Sequence, residues 1–230
     1  MINDLIWDVD GTIFDTYPAF TLAMSKAIKD AGAIVPLNRV THLLRVSFAH
    51  CVESITKENR IDSEVLSENF YNYYTQIPLQ NQPPFRGVGA LCEYMLTLGG
   101  RNLIVTHRSN KSTAELLRVH NLEHYFSDLI TTGDGYARKP DPAMFLASLE
   151  RNRLPRETTL SIGDREIDAE AANAAGLRAA LFQPGDETAA ANITFRSYAQ
   201  LLELVRSENM AGSELNLPGI KTPNDYITRR

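Results

Sequence analysis

The chain has 230 residues, 43% hydrophobic and 22% charged, which excludes wholesale disorder and leaves one enlarged domain or one domain carrying an insertion. Acidic residues outnumber basic ones 28 to 23, a formal charge of -5, which excludes a protein whose main task is gripping nucleic acid but not one that takes a small anionic substrate. No apolar run approaches the roughly 20 residues of a spanning helix and no basic-then-apolar leader is visible, so no membrane partner and a cytoplasmic location are expected.

The first apolar run, residues 5–7, reads as a buried strand. The next run that reads so is residues 103–105, about ninety positions on and far beyond a normal crossover. Residues 16–83 fill the gap with helical periodicity, in Phe20, Ala23, Met24, Ala27 and Ile28, then Val40, Leu43, Leu44 and Phe48, then from Val65 to Tyr74. This segment reads as an inserted helical cap bordered by turn formers, with six basic and six acidic residues, and so not as a charged arm. Cys51 within it and Cys92 beyond it read as reduced packing residues. Further strands are expected at 129–131, 159–162 and 179–182, with helices at 112–120, 142–151 and 168–175 between them. Strand and helix in alternation specify a doubly wound parallel α/β sheet with a Rossmann-like order of layers. Ser112 to Glu115 fits a capping box, and Asp141 caps a helix whose first turn holds Pro142. A last helix is expected at 197–208. The division is therefore a core of 1–15 and 84–208, a cap of 16–83, and a loosely held tail of 209–230.

Acidic residues gather where strands end: Asp8 and Asp10 after the first run, Asp164 and Asp168 after the fourth. Parallel sheets build their sites at those carboxyl ends. Two converging Asp pairs repel unless they are protonated or bridged by a cation, and few protein oxygens completed by water suit Mg²⁺ better than a calcium cage. Thr106 and Lys139 stand at corresponding strand ends and offer a hydroxyl and a positive charge to a phosphoryl group, with Pro140 biasing Lys139 towards an extended conformation.

In this ordered set the sequence resembles the haloacid dehalogenase superfamily, specifically its phosphatases and phosphomutases with a helical cap after the first strand. The motifs stand as Asp8-Val9-Asp10-Gly11-Thr12, then Thr106, then Lys139-Pro140, then Gly163-Asp164-Arg165-Glu166-Ile167-Asp168. The resemblance implies that Asp8 attacks phosphorus, Asp10 protonates the leaving oxygen and then activates water, and Thr106 and Lys139 hold the transferring group. It implies Mg²⁺ held by Asp8, the main-chain carbonyl of Asp10 and Asp164, with Asp168 holding metal-bound waters. The expected function is hydrolysis of a small phosphorylated metabolite, as in phosphoglycolate phosphatases, by a monomer or weak homodimer. A sugar-phosphate mutase resembling β-phosphoglucomutase shares all four motifs and stays open, as does a non-catalytic binder, although a pure binder has no use for all six residues. In the cap, Arg45 and Ser47 are candidate contacts for a substrate carboxylate or hydroxyl, and His107 is a candidate for lining the entrance. His120 and His124, four apart with no third ligand, read as a solvated helix face.

Overall fold

Alternation of apolar residues along the strands decides the architecture. In β1 (Asp4–Trp7), Leu5 and Trp7 join the core on one face of the sheet and Ile6 the core on the other, all fully buried. In β2 (Arg101–Val105), Ile104 is set against Leu103 and Val105 in the same way. A parallel strand buried on both faces requires helices on both. The computed structural model, which describes residues 1–183 and 189–214, supplies them.

Four further strands, β3 (Phe126–Ile130), β4 (Thr159–Gly163), β5 (Arg178–Phe182) and β6 (Ile193–Phe195), complete an all-parallel sheet in the order β3-β2-β1-β4-β5-β6. The sheet is an α/β Rossmann-like core. Its winding direction reverses between β1 and β4, which opens a crevice at their carboxyl ends. Trp7 pairs with Ile104 on one side and Ile162 on the other, so the three central strands end level.

Between β1 and β2 the chain makes α1 (Tyr17–Asp30), α2 (Leu37–Val46), α3 (Phe48–Asn59) and α4 (Ser63–Tyr74). Ala23, Met24, Ile28, Leu44, Ile55, Leu66 and Phe70 close these helices around an apolar cluster of their own. Their two links to the sheet pair with each other: Asp15 N–H donates to Pro83 C=O at 2.9 Å and Phe85 N–H to Ile13 C=O at 2.9 Å.

Helices α5 (Val88–Thr97) and α6 (Asn110–Val119) pack on one face of the sheet, α7 (Ala143–Asn152) and α8 (Glu166–Ala174) on the other, and α9 (Tyr198–Glu214) on the α5 side. Several elements differ from the sequence expectation. α5 and the three-residue β6 are additional. β3 starts three residues earlier than expected, because Phe126 is only partly buried on an edge and its polar neighbours mask the pattern. α6 is capped by Ser109, whose hydroxyl accepts from Ser112 N–H at 3.4 Å, not by a box at Ser112. α9 runs six residues past 208, held by Asn209: its Oδ1 accepts Ile2 N–H at 2.6 Å and its Nδ2 donates to Ile2 C=O at 2.8 Å. The rest of the expected tail, 215–230, lies outside the described residues. No helix among the described residues is long and apolar enough to cross a membrane.

Candidate active site

The chain leaves β1 through a tight reversal in which Ile13 and Phe14 N–H donate to Val9 C=O at 3.0 and 3.1 Å. Gly11 sits in it with φ +77°, and a Cβ there would lie 2.4 Å from both Asp164 Oδ2 and Tyr17 Cε2, so backbone and packing both demand glycine. The reversal leaves Asp8 at the floor of the crevice, 3% exposed.

Three carboxylates meet there. One oxygen each of Asp8, Asp164 and Asp168 lie within 4.8 Å of one another, and all three residues are buried. Lys139 reaches in beneath them, with Nζ 2.8 Å from Asp8 Oδ1, 2.5 Å from Asp168 Oδ1 and 3.1 Å from Val105 C=O. Burial pushes the Asp8 carboxyl up to about 6, Asp168 adding to the rise and Lys139 opposing it. Burial pushes Asp164 up to about 7, with Asp168 and Asp8 adding and Arg165 opposing. At Asp168 burial acts in the same direction, but Lys139 and Arg165 outweigh it and hold this carboxyl below the usual range.

Asp8 Oδ2 and Asp164 Oδ1 are buried without a hydrogen-bond partner among the described residues. An orphaned buried carboxylate oxygen is costly, and two of them within a cluster of three carboxylates, an all-oxygen donor set, fit a hard divalent cation. Asp10, expected in the metal set, does not bring its side chain to this cluster. Its carboxylate turns to Arg108, whose Nη2 donates to Oδ1 at 2.7 Å and whose Nε donates to Oδ1 at 3.1 Å. Only its main chain remains for the role the resemblance assigned.

Thr106 is 1% exposed at the end of β2, with its N–H on Ile130 C=O and its Oγ1 accepting Arg108 N–H at 3.2 Å. His107, half-buried, has a task in the fold beside the expected one. Its Nε2 accepts the main-chain N–H of Lys139 at 2.9 Å, and burial, with Lys139 and Arg138 beside it, lowers its pKa to about 3. A neutral imidazole thus fixes the loop that delivers Lys139. The Ser47 hydroxyl accepts His50 N–H at 3.0 Å as the N-cap of α3, which leaves its own proton to donate. Arg45 does reach the site, its guanidinium 4.4 Å from the Tyr17 ring centre and its Nη1 3.9 Å from Asp164 Oδ2, with the side chain 46% exposed.

Sequence reasoning missed four residues. The Tyr17 hydroxyl donates to Asp164 Oδ2 at 2.9 Å, and burial followed by the Asp164 charge raises its pKa so that it stays a donor. Arg165 lies with Nε 3.9 Å from both Asp164 Oδ1 and Asp168 Oδ2. Arg108 and Tyr74, joined at 2.7 Å, stand on either side of the crevice. Arg165 lies inside the fourth motif and Arg108 two residues after Thr106, so proximity to a motif was a usable signal; Tyr17 and Tyr74 had none.

A buried carboxylate with one free oxygen, an adjacent ammonium, a cation-ready cluster and a strand-end hydroxyl together make a centre for handling an anionic group. Residues 5–182 match the family model of haloacid dehalogenase-like hydrolases, and the chain belongs to that family. It is a hydrolase, and within the family it is similar to phosphatases. The phosphoglycolate phosphatase of Aquifex aeolicus (strain VF5) is 29% identical over 180 residues, covering 77% of this chain and 83% of the relative. That of Nitrosospira multiformis (strain ATCC 25196 / NCIMB 11849 / C 71) is 30% identical over 183 residues, covering 76% and 80%. A solved hydrolase structure from Streptococcus pneumoniae TIGR4 aligns with a TM-score of 0.62 at 29% identity, covering 89% of this chain and 98% of that one.

Proposed function

We propose that the protein is a Mg²⁺-dependent phosphatase of a small phosphorylated metabolite, of the phosphoglycolate phosphatase kind, working through an aspartyl-phosphate on Asp8. The observation that carries this reading is the division of Asp8: Oδ1 lies on the Lys139 ammonium, and Oδ2 is buried without a partner among the described residues, so a cation on one oxygen leaves the other, beside Lys139, for attack on phosphorus. In the first step an Asp8 oxygen bonds to phosphorus as the ester P–O bond breaks, and Asp10 gives its proton to the leaving oxygen. In the second, water attacks the same phosphorus, Asp10 takes its proton back and Asp8 leaves as carboxylate.

Lys139 and Thr106 hold the oxygens of the transferring group, and Lys139 screens Asp8 from them. Asp8, Asp164, Asp168 and the Asp10 main-chain carbonyl form the metal site. Bound Mg²⁺ supplies the positive charge that lets a phosphate approach three carboxylates. The helices of 16–83 serve as a cap over the crevice, with Arg45 on the substrate side and the paired links at 13–15 and 83–85 as its hinge. The setting in this reading is cytoplasmic, consistent with Cys51 and Cys92 being free and buried.

The test is phosphate release from 2-phosphoglycolate and a panel of phosphomonoesters. Turnover is expected with millimolar Mg²⁺, and none with chelator or in Asp8→Asn. Activity retained in Asp8→Asn removes the nucleophile assignment. Isomerised sugar phosphate without net phosphate release, seen by phosphorus NMR, replaces hydrolysis with mutase chemistry.

A further inference from the structure

Arg108 is 8% exposed and sits between the sheet and the cap. Its Nη2 donates to Asp10 Oδ1 at 2.7 Å and to the Tyr74 hydroxyl at 2.7 Å, Nε donates to both Asp10 oxygens at 3.1 and 3.3 Å, and Nη1 donates to Ser112 Oγ at 2.6 Å. Tyr74, the last residue of α4, passes the chain on, its hydroxyl donating to Gln82 Oε1 at 2.7 Å. Gln82 is fully buried and adjoins Pro83, whose carbonyl pairs with Asp15 across the two links. One hydrogen-bonded line therefore runs from the Asp10 carboxylate through Arg108 to α4 and the hinge.

We propose that Arg108 is a positioning residue that sets the orientation of Asp10 for proton transfer and, through Tyr74, makes that orientation conditional on the docking of α4. The proposal rests on the phosphatase reading of the site. Its physical basis is the guanidinium fork. Arg108 is fixed at one end by Ser112 on α6, so its two donors to Asp10 have one geometry while Tyr74 occupies the remaining Nη2 proton. The rings of Phe20 and Tyr74, each 5.8 Å from the guanidinium carbon, wall it in from the cap side. If α4 moves away, Nη2 loses an acceptor and the guanidinium loses two aromatic walls, so the orientation of Asp10 is no longer enforced. A lysine cannot replace this, since an ammonium offers no planar fork. Among the described residues the contacts of its side chain run to Asp10, Ser112 and Tyr74 and to none of Asp8, Asp164 and Asp168, so it acts on the reaction through Asp10, which is why its role is positioning.

Leaving-group dependence separates this from a merely structural ion pair. An alkyl phosphate needs a proton on its departing oxygen, whereas dinitrophenyl phosphate expels a stable phenolate and needs none. The ratio of kcat/KM between the two reports proton donation in the first transfer alone, because kcat/KM excludes the later hydrolysis of Asp8. For Arg108→Lys the alkyl substrate is expected to fall at least about 10-fold and the dinitrophenyl substrate less than about 3-fold, a part of the usual 10²–10⁴ acid contribution. Tyr74→Phe keeps the ring, is expected to fold, and should shift the same ratio in the same direction by about 3-fold or more. Tyr71→Phe, on an exposed residue of α4, should leave it unchanged. Equal losses on both substrates in Arg108→Lys, or an unchanged ratio in Tyr74→Phe, overturn the proposal while leaving the phosphatase reading standing. A wild-type protein that hydrolyses neither substrate with Mg²⁺ overturns that reading and the proposal with it.

Discussion

Replacing Asp8 by Asn in the chelated protein should stabilise the fold relative to wild type, and increasingly so as pH rises. Burial moves the Asp8 pKa from its ordinary 3.8 to about 6, so the folded state prefers the protonated carboxyl and resists ionising it. The contribution of the group is complete below pH 3.8, declines as pH rises towards 6 and is gone above it. Its full size is about 3 kcal/mol, roughly half of it falling between pH 5 and 8. Asn does not titrate and resembles the protonated form, so the stability of the variant minus that of wild type should grow by that half over the interval, worth roughly 3–6 °C of Tm in a chain of this length. Taking the difference between two proteins removes the titrations to which Asp8 does not contribute, including His107, whose depressed pKa acts with the opposite sign, while Asp164, whose rise Asp8 adds to, is relieved in the variant and moves the difference in the same direction. The assay is thermal unfolding of both proteins in chelator at pH 5, 6, 7 and 8. A difference that stays constant or shrinks with pH refutes the reasoning, because it means that Asp8 is not held in the folded state against its charge. Mg²⁺ at pH 8 should raise the Tm of wild type and do much less for the variant.

Three other substitutions probe separate parts of the molecule. Lys139→Met removes the ammonium bridging Asp8 and Asp168; urea unfolding in chelator should register a loss of about 3–5 kcal/mol, since two buried carboxylates lose their counter-charge. Gly11→Ala places a methyl 2.4 Å from Asp164 Oδ2 at positive φ; it should cost more than about 1 kcal/mol and weaken Mg²⁺ binding in a calorimetric titration, and a neutral result in both removes the steric argument. Asn209→Leu deprives the buried Ile2 N–H and C=O of their partners; unfolding should register about 1–3 kcal/mol, whereas a silent substitution means that α9 does not need this anchor.

Much of the sheet was legible because burial on both faces leaves a run of apolar residues that polar neighbours cannot imitate. Leu5 to Trp7 is such a run, Leu160 and Ile162 flank a buried Ser161 in another strand, and the residues that follow the two are the acidic pairs. β6 escaped because three residues at an edge, one of them exposed, carry too little pattern. α9 was cut short at 208 because Asn209 is polar, and a polar residue earns its burial there only through the backbone of Ile2, 207 positions away. Ser47 and His107 were identified as polar residues near the site, and each also accepts from a main-chain group that the sequence did not point to: Ser47 from its own helix and His107 from the Lys139 loop. Residue type announces capacity for a hydrogen bond but not which partner takes it.

The same limit explains why the cap side of the crevice was the least legible. Asp8, Asp164 and Asp168 meet because the carboxyl ends of β1 and β4 are neighbours in this topology, a consequence of connectivity that sequence order carries. Tyr17 meets Asp164 across 147 positions and Arg108 meets Asp10 across 98, through the way a helical cluster with its own core sits on the sheet. That seating rests on the paired links at 13–15 and 83–85, on the polar groups of Tyr17, Arg45 and Tyr74, on Phe20 against Arg108, and on Leu79, which packs on the sheet core with its carbonyl 3.1 Å from His120 Nε2. Of the groups the sequence hid, Tyr17, Arg108 and Tyr74 bridge the sheet and the helices of 16–83, while Arg165 stands within the fourth motif; in the proposed reading Asp10, held by Arg108, is the reacting residue tied to that bridge.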